Sequence, residues 1–115
     1  MAIIIKTKST KDIINEIKTK IDQGAIDTWI YDIDGDFTHA SEQWGAKAWF
    51  RAQVDDSIIS FSIIGRKQAK LTIEEYSIYH GKFSSMLLTH FHNDIAKLEM
   101  TMPLQYPSDT TRIDL

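Results

Sequence analysis

The stretch AKAWFRAQV (46–54), DD (55–56), SIISFSII (57–64) decides the fold class. Ala48, Phe50, Ala52 and Val54 fall on one side of an extended chain, and Lys47, Trp49, Arg51 and Gln53 fall on the other. That is the period of two expected of a strand with one buried and one wet face. The second run repeats β-branched and aromatic residues at the same period, so Asp55 and Asp56 between the runs predict a tight hairpin turn, although neither position holds glycine. Tight hairpins pair their strands antiparallel, which argues against a sheet built from regular crossover units.

Working outward toward the N-terminus, Trp29, Tyr31 and Ile33 alternate with Thr28, Ile30 and Asp32 and predict a further strand over 28–33. Ile13, Ile14, Ile17 and Ile21 follow a 3.6-residue period, with Ser9 or Thr10 available as cap, Asp12 in the first turn and Gly24 just past the end, so a helix is expected there. Glu16 to Lys20 and Lys18 to Asp22 are i,i+4 pairs that mark its solvated side. Ile3, Ile4 and Ile5 form a short β-branched run suited to a first strand.

Toward the C-terminus, LTIEEYSIYHG (71–81) carries two competing signals. Thr72 and Glu75 have the spacing of a helix capping box, whereas Thr72, Ile73, Tyr76, Ile78 and Tyr79 favour a strand. Because Gly81 inside a helix would cost about 1 kcal/mol, the expected course is a strand, a break at His80 and Gly81, and then a helix through Phe83, Met86, Leu87 and Phe91. Leu98, Met100 and Met102 alternate in a last strand that stops at Pro103, and a polar tail occupies 103–115. The expected fold is therefore α+β, a single domain over 1–115. It has a mainly antiparallel sheet of about five strands and two helices on one face. Those helices would bury Ile13, Ile17, Ile21, Phe83, Leu87 and Phe91.

Composition narrows the functional classes. The 115 residues are 43% hydrophobic, enough for one core. A net charge of −3 disfavours general attraction to nucleic acid or anionic lipid, and the lack of cysteine excludes disulfides, thiol catalysis and thiolate metal sites. No apolar run approaches the roughly 20 residues of a membrane-spanning helix, and MAIIIK lacks the features of a signal peptide. A cytoplasmic protein without cofactor or resident metal is expected.

Several residues have the types that chemistry uses. WIYDIDGDFTH (29–39) resembles the first motif of haloacid-dehalogenase-type phosphatases, which implies Asp32 as nucleophile and Asp34 as acid/base. Asp36 stands where that family usually has Thr or Val, and the chain is short for that family's parallel α/β domain. The same acids suggest calcium only in part, because Gly35 is fourth and Gln43 twelfth from Asp32, where an EF-hand loop needs Gly sixth and Glu twelfth. If His39 in the long Asp34–Gly45 loop met His80, the pair could act as acid and base on a phosphodiester. Lys82 would then neutralise charge, and Asp34 would join them in a small hydrolase. His90 and His92, two apart on a helix, point to different faces and suit the helix dipole better than a shared ion.

The leading expectation is a non-enzymatic interaction module. Trp49 shares its strand face with Lys47 and Arg51, the composition of an interface anchor, and Trp44 in the long loop is a further candidate. A small acidic domain of this kind resembles immunity or antitoxin-like proteins that cover a basic enzyme. The partner would be another protein or a second copy of the chain, the latter making a structural homo-oligomer.

Overall fold

The computed structural model describes residues 3–8 and 12–103, together with the backbone of 113–114. Strands β1 (Ile3–Thr7), β2 (Trp29–Tyr31), β3 (Phe37–His39), β4 (Ala48–Asp55) and β5 (Ile58–Gly65) join β7 (Ile95–Met100) in a six-stranded sheet of order β2-β3-β4-β5-β1-β7. Every pairing in this sheet is antiparallel. Helices α1 (Ile13–Asp22) and α2 (Ile73–Phe91) supply the apolar side chains that pack with one sheet face, and the class is α+β. A two-residue strand β6 (Leu71–Thr72) pairs in parallel with β8 (Ile113–Asp114). The sheet thus has more than the expected five strands. The additional short strand β3 lies inside the segment expected to be loop.

The hairpin follows the alternation. Phe50 pairs with Ile63 and Ala52 with Phe61 on the inner face, while Trp49 pairs with Ile64 and Arg51 with Ser62 on the outer one. The turn falls one residue later than the sequence suggests, at Asp56–Ser57, and Asp56 adopts φ +52°. The apolar row also ends early: Val54 is 61% exposed because nothing covers the hairpin tip. Ile33 does not extend β2 either, since the chain turns after Tyr31 and leaves Ile33 fully exposed. β1 is an interior strand, with Ile3 and Ile5 fully buried inward.

The α1 N-cap is Asp12, whose carboxylate accepts from the Asn15 amide at 3.1 Å; Ser9 and Thr10 lie outside the described residues. Residues 71–79 are the main correction. The capping box prevails: Thr72 Oγ1 accepts from the Glu75 amide and Glu75 Oε1 from the Thr72 amide, both at 3.0 Å. Arg66 donates to the same carboxylate, further fixing it. Tyr76, Tyr79, Phe83, Met86, Leu87 and Phe91 then follow a helical period into the core, and Gly81 lies on the exposed side of one continuous helix. The helix pattern outweighs the cost of one glycine because six large side chains gain burial, each contributing about 1.5–3 kcal/mol. His92 caps the far end, with Nδ1 3.1 Å from the Leu88 carbonyl.

Phe83 is the centre of the core, with its ring 4.7 to 5.9 Å from those of Trp29, Phe37, Phe50 and Phe61. No helix among the described residues is long and apolar enough to cross a membrane. Of the polar tail, Pro103 is described and 113–114 pair with β6; the rest lies outside the described residues.

Candidate functional site

The residues singled out for chemistry separate into three places. His39 and Lys82 line one cleft, Asp34 and Trp49 line a groove on the outer sheet face, and His80 borders a third, apolar groove.

The His39 cleft lies between α2 and the adjoining strands β2 and β3, and holds about 290 Å³. Trp29 and His39 are cross-strand partners on β2 and β3, their rings in edge contact at 5.1 Å. Lys82, Ser85, Met86 and Thr89 reach the cleft from α2 at positions i, i+3, i+4 and i+7, one side of the helix. The loop after His39 is held from both ends. The Tyr79 hydroxyl donates to the Trp44 carbonyl and accepts from the Lys47 amide at 3.3 Å. The Ala46 amide donates to Thr38 Oγ1 at 3.0 Å. Gly45 belongs there because a Cβ would come within 2.5 Å of the Ser41 carbonyl oxygen and 2.9 Å of that of His39.

His39 is buried, and its Nδ1 accepts from the Ser41 amide at 3.2 Å with the Ser41 hydroxyl 2.9 Å away. An accepting Nδ1 assigns the proton of the neutral ring to Nε2. Burial, and secondly the positive charge of Lys82, hold the His39 pKa below its ordinary 6.5, so the neutral form prevails at pH 7. In this state His39 is a hydrogen-bond donor to the cleft, its accepting lone pair being spent on Ser41.

His80 is elsewhere. It lies within α2 rather than at the expected break between a strand and a helix, so no helix N-terminus adjoins it. Its Nδ1–H donates to the Tyr76 carbonyl at 2.6 Å, and its ring stacks on Tyr76 at 3.8 Å. The groove beside it, about 430 Å³, is walled by Ile73, Tyr76, Met100 and Met102.

The third place is the outer groove of about 400 Å³, in which Trp49 and its cross-strand neighbour Ile64 lie between the Asp32–Asp36 turn and Arg66–Lys67. Both apolar side chains are partly exposed. Asp32 Oδ1 accepts from the amides of Asp34 and Asp36 at 3.0 Å each, so the first acid is spent on folding its own turn. Asp36 is buried and takes a bidentate bond from Arg51, Nε to Oδ1 at 3.0 Å and Nη2 to Oδ2 at 2.7 Å. The three carboxylates have oxygens within 4.8 Å of one another. Asp32 is held by backbone amides and Asp36 by Arg51, and the all-antiparallel sheet lacks the parallel strands on which the phosphatase motif is carried. Trp44 packs against the core, and neither it nor Lys47 is among the residues that line the groove with Trp49.

Sequence reading missed Trp29, Ser85 and Thr89 as cleft residues. The signal was present: a helix beginning at the Thr72–Glu75 box puts Lys82, Ser85, Met86 and Thr89 on one side at helical spacing. Comparison with protein-family models, with curated proteins and with solved structures finds no match.

Proposed function

We propose that this chain is a protein-interaction module whose binding surface is the helix-free face of the sheet, with Trp49 as its anchor. The observation that carries this reading is the pairing of Trp49 with Ile64 on a face that neither helix covers, both partly exposed at the centre of a groove with charged rims. Anchors of this kind are aromatic, central and ringed by polar groups. The partner is a polypeptide with a basic side chain for the Asp32–Asp34 rim, since the one guanidinium there, Arg51, gives its hydrogen bonds to Asp36 while three carboxylates cluster, and the whole chain carries a net charge of −3.

A photo-crosslinking residue placed at position 49, with the same residue at exposed position 70 as control, tests the surface in the native cell. The reading requires an adduct specific to position 49, and a purified complex that Trp49→Ala weakens by at least about thirtyfold. No specific adduct, or an affinity indifferent to Trp49→Ala, overturns it. An adduct formed only with a second copy would replace the partner with self-association.

The second reading is a small phosphodiester hydrolase. In its favour, His39 and Lys82 share a cleft; against it, Asp34 and His80 border other grooves and His39 Nδ1 is occupied by Ser41.

A further inference from the structure

β7 is the longer open margin of the six-stranded sheet. It pairs with β1 on one side only and is six residues long, whereas β2 at the opposite margin has three. The direction of its backbone groups follows from hydrogen bonds at the neighbouring strand. The Thr7 amide donates to the Ser57 carbonyl, on the β5 side, and the Lys8 amide to the Asp94 carbonyl, on the β7 side, both at 2.8 Å. Backbone groups along a strand alternate in direction, so Ile4 and Lys6 face β7, and their partners Glu99 and Lys97 face back toward β1. Leu98 and Met100 therefore direct N–H and C=O away from the sheet, where no strand among the described residues receives them. A lysine on such an edge ordinarily discourages pairing. Here Lys97 is matched by Glu99, 2.6 Å away on the same outer face and likewise exposed, while Leu98 and Met100 continue the inner apolar row of Ile5 and Ile3.

We infer that β7 pairs with β7 of a second copy of this chain, antiparallel about a two-fold axis at Leu98. Outward-facing residues must meet outward-facing residues, so a two-fold axis on this strand passes through Lys97, Leu98 or Glu99. Centred on Lys97, the pairing opposes two lysines; centred on Glu99, it opposes two glutamates. Centred on Leu98, it sets Lys97 of each copy opposite Glu99 of the other, at positions without backbone hydrogen bonds, where Cα atoms approach to about 4.5 Å and side chains are closest. The charges thus choose both the occupant and the register, because Lys-Leu-Glu is complementary to itself when reversed. Each Leu98 then exchanges its backbone hydrogen bonds with the other, and Leu98 side chains meet on the inner face, where Leu98 is already half-buried and Met100 is 47% exposed. A contact of one six-residue strand per copy is small beside the roughly 1,200–2,000 Å² of stable interfaces, so the dimer is expected to be weak. Trp49 lies on β4, with β5 and β1 between it and this edge, so failure of the dimer would leave the interaction reading standing.

The test is sedimentation equilibrium of the whole chain from about 20 µM to about 1 mM, where a monomer–dimer equilibrium is expected. Lys97→Glu places glutamate opposite Glu99 and Glu99→Lys places lysine opposite Lys97, so each should weaken the dimer about tenfold or more. The double exchange, Lys97→Glu with Glu99→Lys, should restore it to within about threefold. The two single variants move the net charge of −3 in opposite directions, so a loss in both reports the pairing rather than overall repulsion. Both side chains are exposed, and thermal unfolding checks that the variants keep the fold. In the unaltered chain, amide exchange at Leu98 and Met100 should slow as concentration rises. The inference fails if the chain stays monomeric throughout, if either single variant dimerises as well as the wild type, if the double exchange does not restore the dimer, or if exchange at Leu98 and Met100 ignores concentration. A dimer lost in Trp49→Ala but kept in Lys97→Glu would also overturn it, by assigning self-association to the Trp49 groove.

Discussion

Trp49 and Phe50 are adjacent on β4, and the sheet sends them to opposite fates. Phe50 is fully buried against Phe83, with ring centroids 4.7 Å apart, and Trp49 stands on the face with no helix over it, supported mainly by Ile64 across the strand pair. One strand thus supplies both the scaffold and the surface, because a period of two lets each role be chosen independently. The inner face is aromatic and closed, whereas the outer one mixes Trp49 and Ile64 with serines and charges. Substitutions on the first should therefore act on stability, and those on the second on association.

The largest effect is expected at Phe50. Phe50→Ala removes a ring in contact with Trp29, Tyr79, His80 and Phe83 and should cost about 3–5 kcal/mol in urea unfolding. A loss below about 1 kcal/mol would mean that the core can collapse around the gap, and the contrast between the two faces would fail. Next is Tyr79→Phe, which keeps the ring and deletes the hydroxyl that joins α2 to the Trp44 carbonyl and the Lys47 amide. Leaving such groups unpaired costs about 1–3 kcal/mol, and amide exchange should rise over residues 40–47 while the β4–β5 hairpin stays protected. Uniform loss of protection would show that the loop is not a separable part.

The two faces also differ in how far the sequence announced them. The hairpin was legible because alternation is a local property, and Trp49 facing away from Phe50 followed from it directly. Residues 71–91 were not legible in the same way, because Thr72, Ile73, Tyr76, Ile78 and Tyr79 are good strand formers and Gly81 argues against a helix. What decided the outcome was nonlocal: Arg66 reaching Glu75, and Tyr79 and Phe83 finding aromatic partners on β2, β3 and β4. The cleft was hidden for a related reason: helical spacing puts Lys82, Ser85, Met86 and Thr89 on one side, but that this side faces β2 and β3 is set by packing. His39 and Lys82 were both picked out by residue type, but their meeting depended on how α2 packs beside β3.

Gly81→Ala examines this point at a smaller scale. A Cβ at Gly81 meets nothing within 4 Å and the position is exposed, so alanine should stabilise the protein by roughly 0.5–1 kcal/mol in thermal or urea unfolding. Destabilisation would mean that the glycine is kept for something seated on that side of α2. Of similar or smaller size is Trp49→Ala, where the aromatic to β-branched cross-strand pair with Ile64 contributes roughly 0.2–1 kcal/mol to folding. A loss as large as that of Phe50→Ala would make Trp49 a core residue and end the distinction between the faces.

The smallest effect expected concerns pH, and it too separates the two faces. Burial, with Lys82 nearby, holds the folded-state pKa of His39 below its ordinary 6.5, so the unfolded chain takes up the proton first as pH falls. Stability linked to His39 is therefore fully present above about pH 6.5 and is lost as pH drops from there toward the lowered folded value. Protonation also has a structural consequence: a protonated ring has no lone pair at Nδ1, so it can no longer accept from the Ser41 amide that begins the 40–47 loop. Urea midpoints followed from pH 7.5 to pH 5 in the wild type and in His39→Gln should diverge, the variant being the less pH-dependent. Trp49→Ala should run parallel to the wild type over the same range, because the group responsible lies on the helix-covered side. If His39→Gln leaves the pH dependence untouched, the proton is taken up elsewhere, and the neutral donor assigned to His39 in the cleft loses its support.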